Sequence, residues 1–196
     1  MIRRIAITAE PLPLVLKYTD IRSYALITLF VLLNVVVPWA FHQFHLAGAT
    51  YLPMHVFVLV AGLAFGWQAG LIVGLLTPLA SYALSGMPVL RILPQLLVEL
   101  SAYGLLSGIL REKFRLRVIW SLLGAMIGGR LMLLSAVLVI FLVSGEVYSP
   151  LGLETNPFFA IWSVIKQGWP GILIQVVLLP VIFWMVGKST LKKRAE

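Results

Sequence analysis

Apolar positions along this chain run in blocks, and polar positions are confined to the gaps between them. Six apolar stretches can be drawn, at 22–43, 53–67, 69–86, 91–111, 117–144 and 157–187, separated by charges, proline or glycine. About 20 apolar residues suffice for a helix to cross the hydrocarbon of a bilayer. The pattern predicts an all-α, polytopic membrane protein with a six-transmembrane-helix bundle. Between the second and third stretches lies only Gly66-Trp67-Gln68-Ala69-Gly70, which reads as a tight turn. The fifth and sixth are longer than a crossing requires, so tilt, a kink or a protruding end is expected. Pro170-Gly171 predicts a break in the sixth, with a short piece near 157–167 followed by the main span. A discontinuous helix survives in lipid only where protein or a cavity satisfies the freed backbone groups.

Charge orients the bundle. Arg3, Arg4, Lys17 and Arg22 precede the first stretch; Arg111, Lys113, Arg115 and Arg117 fill the fourth connection; Lys188, Lys192, Lys193 and Arg194 follow the last. With six spans these regions share one side, and they hold twelve of the fifteen basic residues. Short basic loops stay in the cytoplasm, so both termini are expected there. The chain divides into a cytoplasmic or interfacial segment at 1–21, a membrane domain at 22–187 and a basic tail at 188–196. With Pro11 and Pro13 and no continuous apolar core, the first segment does not read as a secretory signal.

Composition closes off other classes. Hydrophobic residues make up 61% and charged residues 11%, and the mean hydropathy is +1.02. A soluble domain is about a quarter charged, so lipid must be the outer solvent here. The net charge of +8 follows from the cytoplasmic loops and does not imply nucleic acid. Without cysteine there is no disulfide, thiolate metal site or cysteine nucleophile. No phosphate-cradling loop, nucleotide fingerprint or cofactor motif is present, so ATP is not hydrolysed by this chain. Gly62-xxx-Gly66, Gly70-xxx-Gly74, Gly104-xxx-Gly108 and Gly124-xxx-Gly128 put small residues one turn apart on four helices, the spacing of close helix contact in lipid.

Polar residues at membrane depth carry the candidate chemistry, because lipid makes them costly. Glu99 lies roughly 12 Å into the fourth span at about 1.5 Å per residue, and Arg130 lies mid-way along the fifth. Two readings stand: a buried Glu99–Arg130 pair that sets helix register, or a contact from either residue to a charged ligand. His55 opens the second span, as an interfacial cap or a ligand contact. With His42 and His45 it makes a poor metal site, lacking close spacing and an acidic partner. Arg91 and Gln95 follow the Ser85-Gly86-Met87-Pro88 turn, and Tyr103 sits one turn beyond Glu99. Trp162, Lys166, Gln167 and Trp169 precede Pro170-Gly171, as interfacial belt residues or as part of a site at the helix break. Asn34 and Gln175 either line a pocket or bond across helices. A Ser–His–Asp arrangement is unsupported, since the only aspartate, Asp20, is on the basic side.

The run Leu52-Pro-Met-His-Val-Phe-Val-Leu-Val-Ala-Gly62, then Gly66-Trp-Gln-Ala-Gly-Leu-Ile-Val-Gly74, Thr77-Pro78, Ser85-Gly-Met-Pro88 and Glu99-Leu-Ser-Ala-Tyr-Gly104 resembles the substrate-binding S components of energy-coupling factor (ECF) transporters. Gly128-Gly-Arg130 and Pro170-Gly-Ile-Leu-Ile-Gln175 are compatible with it. The resemblance implies a small organic micronutrient, usually a vitamin or precursor, bound near the outer face of a prokaryotic plasma membrane. It further implies a membrane coupling subunit and two ATPase subunits as partners. The first helix departs from the family's Ala-xxx-Ala docking face, reading Ala25-Leu26-Ile27-Thr28-Leu29. The Met-His-x-His start of relatives that carry nickel or cobalt is also absent, which favours an organic substrate. On this reading His55, Arg91, Gln95, Glu99, Tyr103, Arg130, Trp162, Lys166 and Gln167 are the pocket candidates. Glu99 with several cations suits an acidic or zwitterionic molecule. The competing reading is a membrane scaffold, for example of a prenyl-chain enzyme, with a protein partner and no small ligand.

Overall fold

A computed structural model describes residues 21–44, 48–149, 152–154 and 156–195. His45 and nearly all of the expected N-terminal segment lie outside these. The apolar blocks become helices: α1 (Ile21–Gln43), α2 (Gly48–Tyr51), α3 (Pro53–Phe65), α4 (Trp67–Ser85), α5 (Leu93–Glu112), α6 (Val118–Ser144) and α7 (Pro157–Ala195). Five of them, α1, α4, α5, α6 and α7, are long and apolar enough to cross a membrane. The expected second span is the 13-residue α3. At about 1.5 Å per residue it falls short of a hydrocarbon core of about 30 Å. Its end is set by Gly66, whose φ of 90° turns the chain directly into α4. Few residues other than glycine adopt that angle without strain.

Short as it is, α3 occupies the middle of the bundle. Val58 and Leu59 are fully buried, and α3 packs against α1, α4 and α5. The other central element is α5, which packs on α3, α4 and α6. Half of its most apolar stretch is buried against 17% for α7, which leaves α7 as a peripheral helix on the flank of α6.

Glycines determine how close the central helices come. A β-carbon on Gly104 would run into the backbone carbonyl of Gly70, one on Gly74 into that of Leu100, and one on Gly108 into the backbone of Trp67. Three of the four spaced pairs thus meet at a single α3–α4–α5 junction, where backbones touch. Gly124 and Gly128 differ, since each faces only the tip of a leucine, Leu110 and Leu106. Buried polar bonds add to the packing. Asn34 Nδ2 donates to Thr77 Oγ1 at 3.0 Å between α1 and α4, and Gln175 Nε2 donates to the Leu52 carbonyl at 3.2 Å.

One expectation is corrected. The sixth stretch does not break at Pro170-Gly171: α7 runs through both Pro170 and Pro180. Membrane helices tolerate proline when neighbours satisfy the freed groups. Here Gly171 lies against the backbone of Thr50 and Tyr51, so this segment is covered by protein. The fold is all-helical as expected, with one small addition. Val147–Ser149 (β1) and Gly152–Glu154 (β2) form an antiparallel hairpin, with Tyr148 opposite Leu153. Val147 anchors it in a small second core with Leu133, Val137, Ala160 and Ile161.

Candidate functional site

The hairpin roofs a cleft between the start of α5, the middle of α6 and the first turns of α7. Residues four apart on a helix share a face. Gln95 and Glu99 therefore present together from α5, with Ile92 and Leu96 beside them, and Leu133 and Val137 present together from α6. Ala160, Ile161 and Val164 supply the α7 wall, and Tyr148 supplies the roof. The cleft is small, with a cavity volume of about 30 Å³, and opens to the surface.

Below it lies a buried polar cluster. Arg130 Nη1 donates to Glu99 Oε1 at 2.5 Å, and both side chains are 10% exposed or less. His55 Nε2 stands 3.5 Å from the same oxygen, beyond a normal N–H···O bond but close enough for electrostatic contact. The His55 ring meets Tyr103 edge to face, with centroids 5.0 Å apart. Tyr103 in turn needs the bare backbone of Gly129, where a β-carbon would press on its ring. Three helices, α3, α5 and α6, thus hold one carboxylate.

Bonding capacity is left over around this cluster. Gln95 Nε2, both nitrogens of His55, and Nε and Nη2 of Arg130 are buried without hydrogen-bond partners among the described residues. Such atoms are uncommon in folded proteins, because each forfeits its bond to water. Also among the described residues, no three histidines, cysteines, aspartates or glutamates converge to hold a metal ion.

The structure gathers His55, Gln95, Glu99, Tyr103 and Arg130 at the cleft and its floor. Arg91 sits at the rim, exposed, with its guanidinium 5.0 Å from the centroid of the Tyr148 ring. The Tyr148 hydroxyl donates to the Glu146 carboxylate. Trp162 and Lys166 are not brought in. They are exposed and lie on the side of α7 opposite Ala160 and Val164, while Gln167 is half-buried away from the cleft lining. An unbroken α7 has a single rotation, and that rotation gives the cleft Ala160, Ile161 and Val164 instead. Tyr148 and the aliphatic walls went unread in the sequence. In a helix apolar all round, Leu133 and Val137 look like any lipid-facing pair.

Residues 22–183 match the family model described as ECF transporter, substrate-specific component. The chain belongs to that family. The match runs from α1 into α7 and includes every residue of the cleft. No curated protein and no solved structure matches the chain. As an ECF substrate-specific component it is a membrane transport subunit that binds substrate, in a family of transporter parts rather than enzymes. The opposite end of this component is basic. There Arg111 Nη1 donates to the Leu116 carbonyl at 3.3 Å, and Lys113 Nζ lies 5.4 Å from the Trp67 ring centroid.

Proposed function

We propose that this component captures a small organic micronutrient, a vitamin or precursor, in the cleft above Glu99, for uptake driven by partner subunits. The observation that carries the proposal is the coincidence of an open cleft with buried, unpartnered polar groups at its base. A buried donor without a partner costs about 1–3 kcal/mol, which a ligand that satisfies it returns as affinity. A pair serving only to fix helix register would need neither the cleft nor the spare donors.

Orientation follows from charge. Gln95 and Arg111 are sixteen residues apart on α5, which separates the cleft from the basic loop at 113–117 by about 24 Å. If that loop faces the cytoplasm, the cleft opens outward, where a scarce nutrient is met. The chain carries no nucleotide-binding motif, so energy comes from elsewhere. A membrane coupling subunit with two ATPase subunits is the arrangement the family implies, in a prokaryotic plasma membrane.

The test is binding by the purified protein in lipid nanodiscs, screened against water-soluble vitamins and their precursors. Saturable binding without ATP is expected, and Val164→Trp, which fills the cleft, should abolish it. Failure of the whole panel, or binding indifferent to Val164→Trp, would sink the proposal.

A further inference from the structure

We infer that the cleft selects an uncharged hydrogen-bond acceptor, a carbonyl of the amide or ketone type, carried on a mainly apolar body. The inference rests on the reading of the cleft as the substrate site, and it concerns which chemistry that site accepts.

The walls come first. Seven of the ten lining residues are aliphatic; the polar ones are Gln95, Glu99 and Tyr148. An apolar body therefore contacts most of the surface, and recognition falls to a few groups. Charge at those groups is already balanced. The Glu99 carboxylate is engaged by Arg130, and the Arg130 side chain is not part of the lining. An anion entering beside Glu99 would meet a carboxylate before any cation, and a cation would meet a carboxylate already paired. Either charge would leave water without a free counter-ion, which is costly in an apolar site. Of the remaining cations, Arg91 is held at the exposed rim over Tyr148, outside the apolar walls and screened by water, and Lys166 is exposed on the far side of α7.

What the cleft does offer is a donor. Gln95 is 3% exposed, it lines the cleft, and its buried Nε2 has no hydrogen-bond partner among the described residues. A neutral carbonyl oxygen satisfies that N–H without bringing a charge. Tyr148 does not compete for it, because its hydroxyl is already donated to Glu146.

Four probes with one phenyl-alkyl skeleton separate the possibilities: hydrocinnamamide, benzylacetone, hydrocinnamate and phenylpropylammonium. The first two present a neutral carbonyl, and benzylacetone accepts without donating. Binding is measured by titration into protein-loaded nanodiscs, with empty nanodiscs subtracted for partition into lipid. The two carbonyl probes should bind more tightly than either ion by at least about tenfold, as one unpaired buried polar group implies. Gln95→Leu should erase that preference. The benzylacetone comparison needs no variant, so it holds even if Gln95→Leu does not fold. An ion bound as tightly as the carbonyls, a preference that survives Gln95→Leu, or no binding by any probe overturns the inference. The cleft as substrate site is judged separately: a charged vitamin blocked by Val164→Trp would uphold the site and refute this selectivity.

Discussion

Glu99 on α5 and Arg130 on α6, 31 positions apart in sequence, share one short hydrogen bond through a single carboxylate oxygen. The same oxygen faces His55 from α3. This contact joins the most buried of the five long helices to its neighbour and forms the floor of the cleft. Removing one partner of a buried pair strands the other as an uncompensated charge, at a cost of about 3–5 kcal/mol. Glu99→Gln should therefore lower the thermal unfolding midpoint sharply, and adding Arg130→Gln should recover part of the loss. Equal stability of Glu99→Gln and the parent in a melting series would show that the pair does not hold the helices.

The glycine pairs are not equivalent. Gly104→Ala forces a methyl group into the Gly70 carbonyl, where only backbone could move, whereas Gly124→Ala meets the flexible end of Leu110. Overpacking of a rigid site costs about 1–3 kcal/mol or more. Gly104→Ala should be strongly destabilised or fail to fold, and Gly124→Ala should be near the parent. Similar yields and melting curves for both would contradict backbone contact at the α4–α5 crossing.

Thr77→Val removes the acceptor of Asn34 while keeping the shape of the side chain. Both residues are fully buried. Bonds between helices in lipid average about 0.6 kcal/mol and reach about 1.7. A modest loss within that range is expected in denaturant unfolding, with no effect on ligand binding, since the bond lies between α1 and α4 rather than at the cleft. A large change in affinity would place this pair in the site instead.

Trp162→Ala and Lys166→Ala should leave ligand affinity within about twofold, because surface changes away from contacts fall within roughly 0.5 kcal/mol. Tyr148→Ala removes the roof and the stacking partner of Arg91, and should speed ligand release more than it slows capture. Stopped-flow rates check both statements. A large loss of affinity in Lys166→Ala would mean that α7 turns a different face to the ligand.

What the sequence alone discloses differs from feature to feature. The spaced glycines announced close packing, yet three pairs converge on one junction and the fourth accommodates leucines, a difference that depends on what stands opposite. Glu99 and Arg130 were visible as costly residues in apolar runs; whether they meet each other or a ligand depended on helix positions. The Val147–Glu154 hairpin is too short for an alternating pattern, and Pro170 suggested a break that packing against Tyr51 removes the need for.

The sequence by itself determined the solvent and the elements: long apolar blocks demand lipid, and in lipid a backbone closes its own hydrogen bonds as helices. It also determined the charge asymmetry between the two ends. Only the tertiary structure decided which face of each helix turns inward. In water, burial sorts apolar from polar faces; in a bilayer both the inward and the outward faces of α6 and α7 are largely apolar. Their rotation is left to small residues, a few buried polar bonds and the fit of neighbouring side chains. That is why Leu133, Val164 and Tyr148 line the cleft while Trp162 and Lys166, the more suggestive residues in the sequence, face away from it.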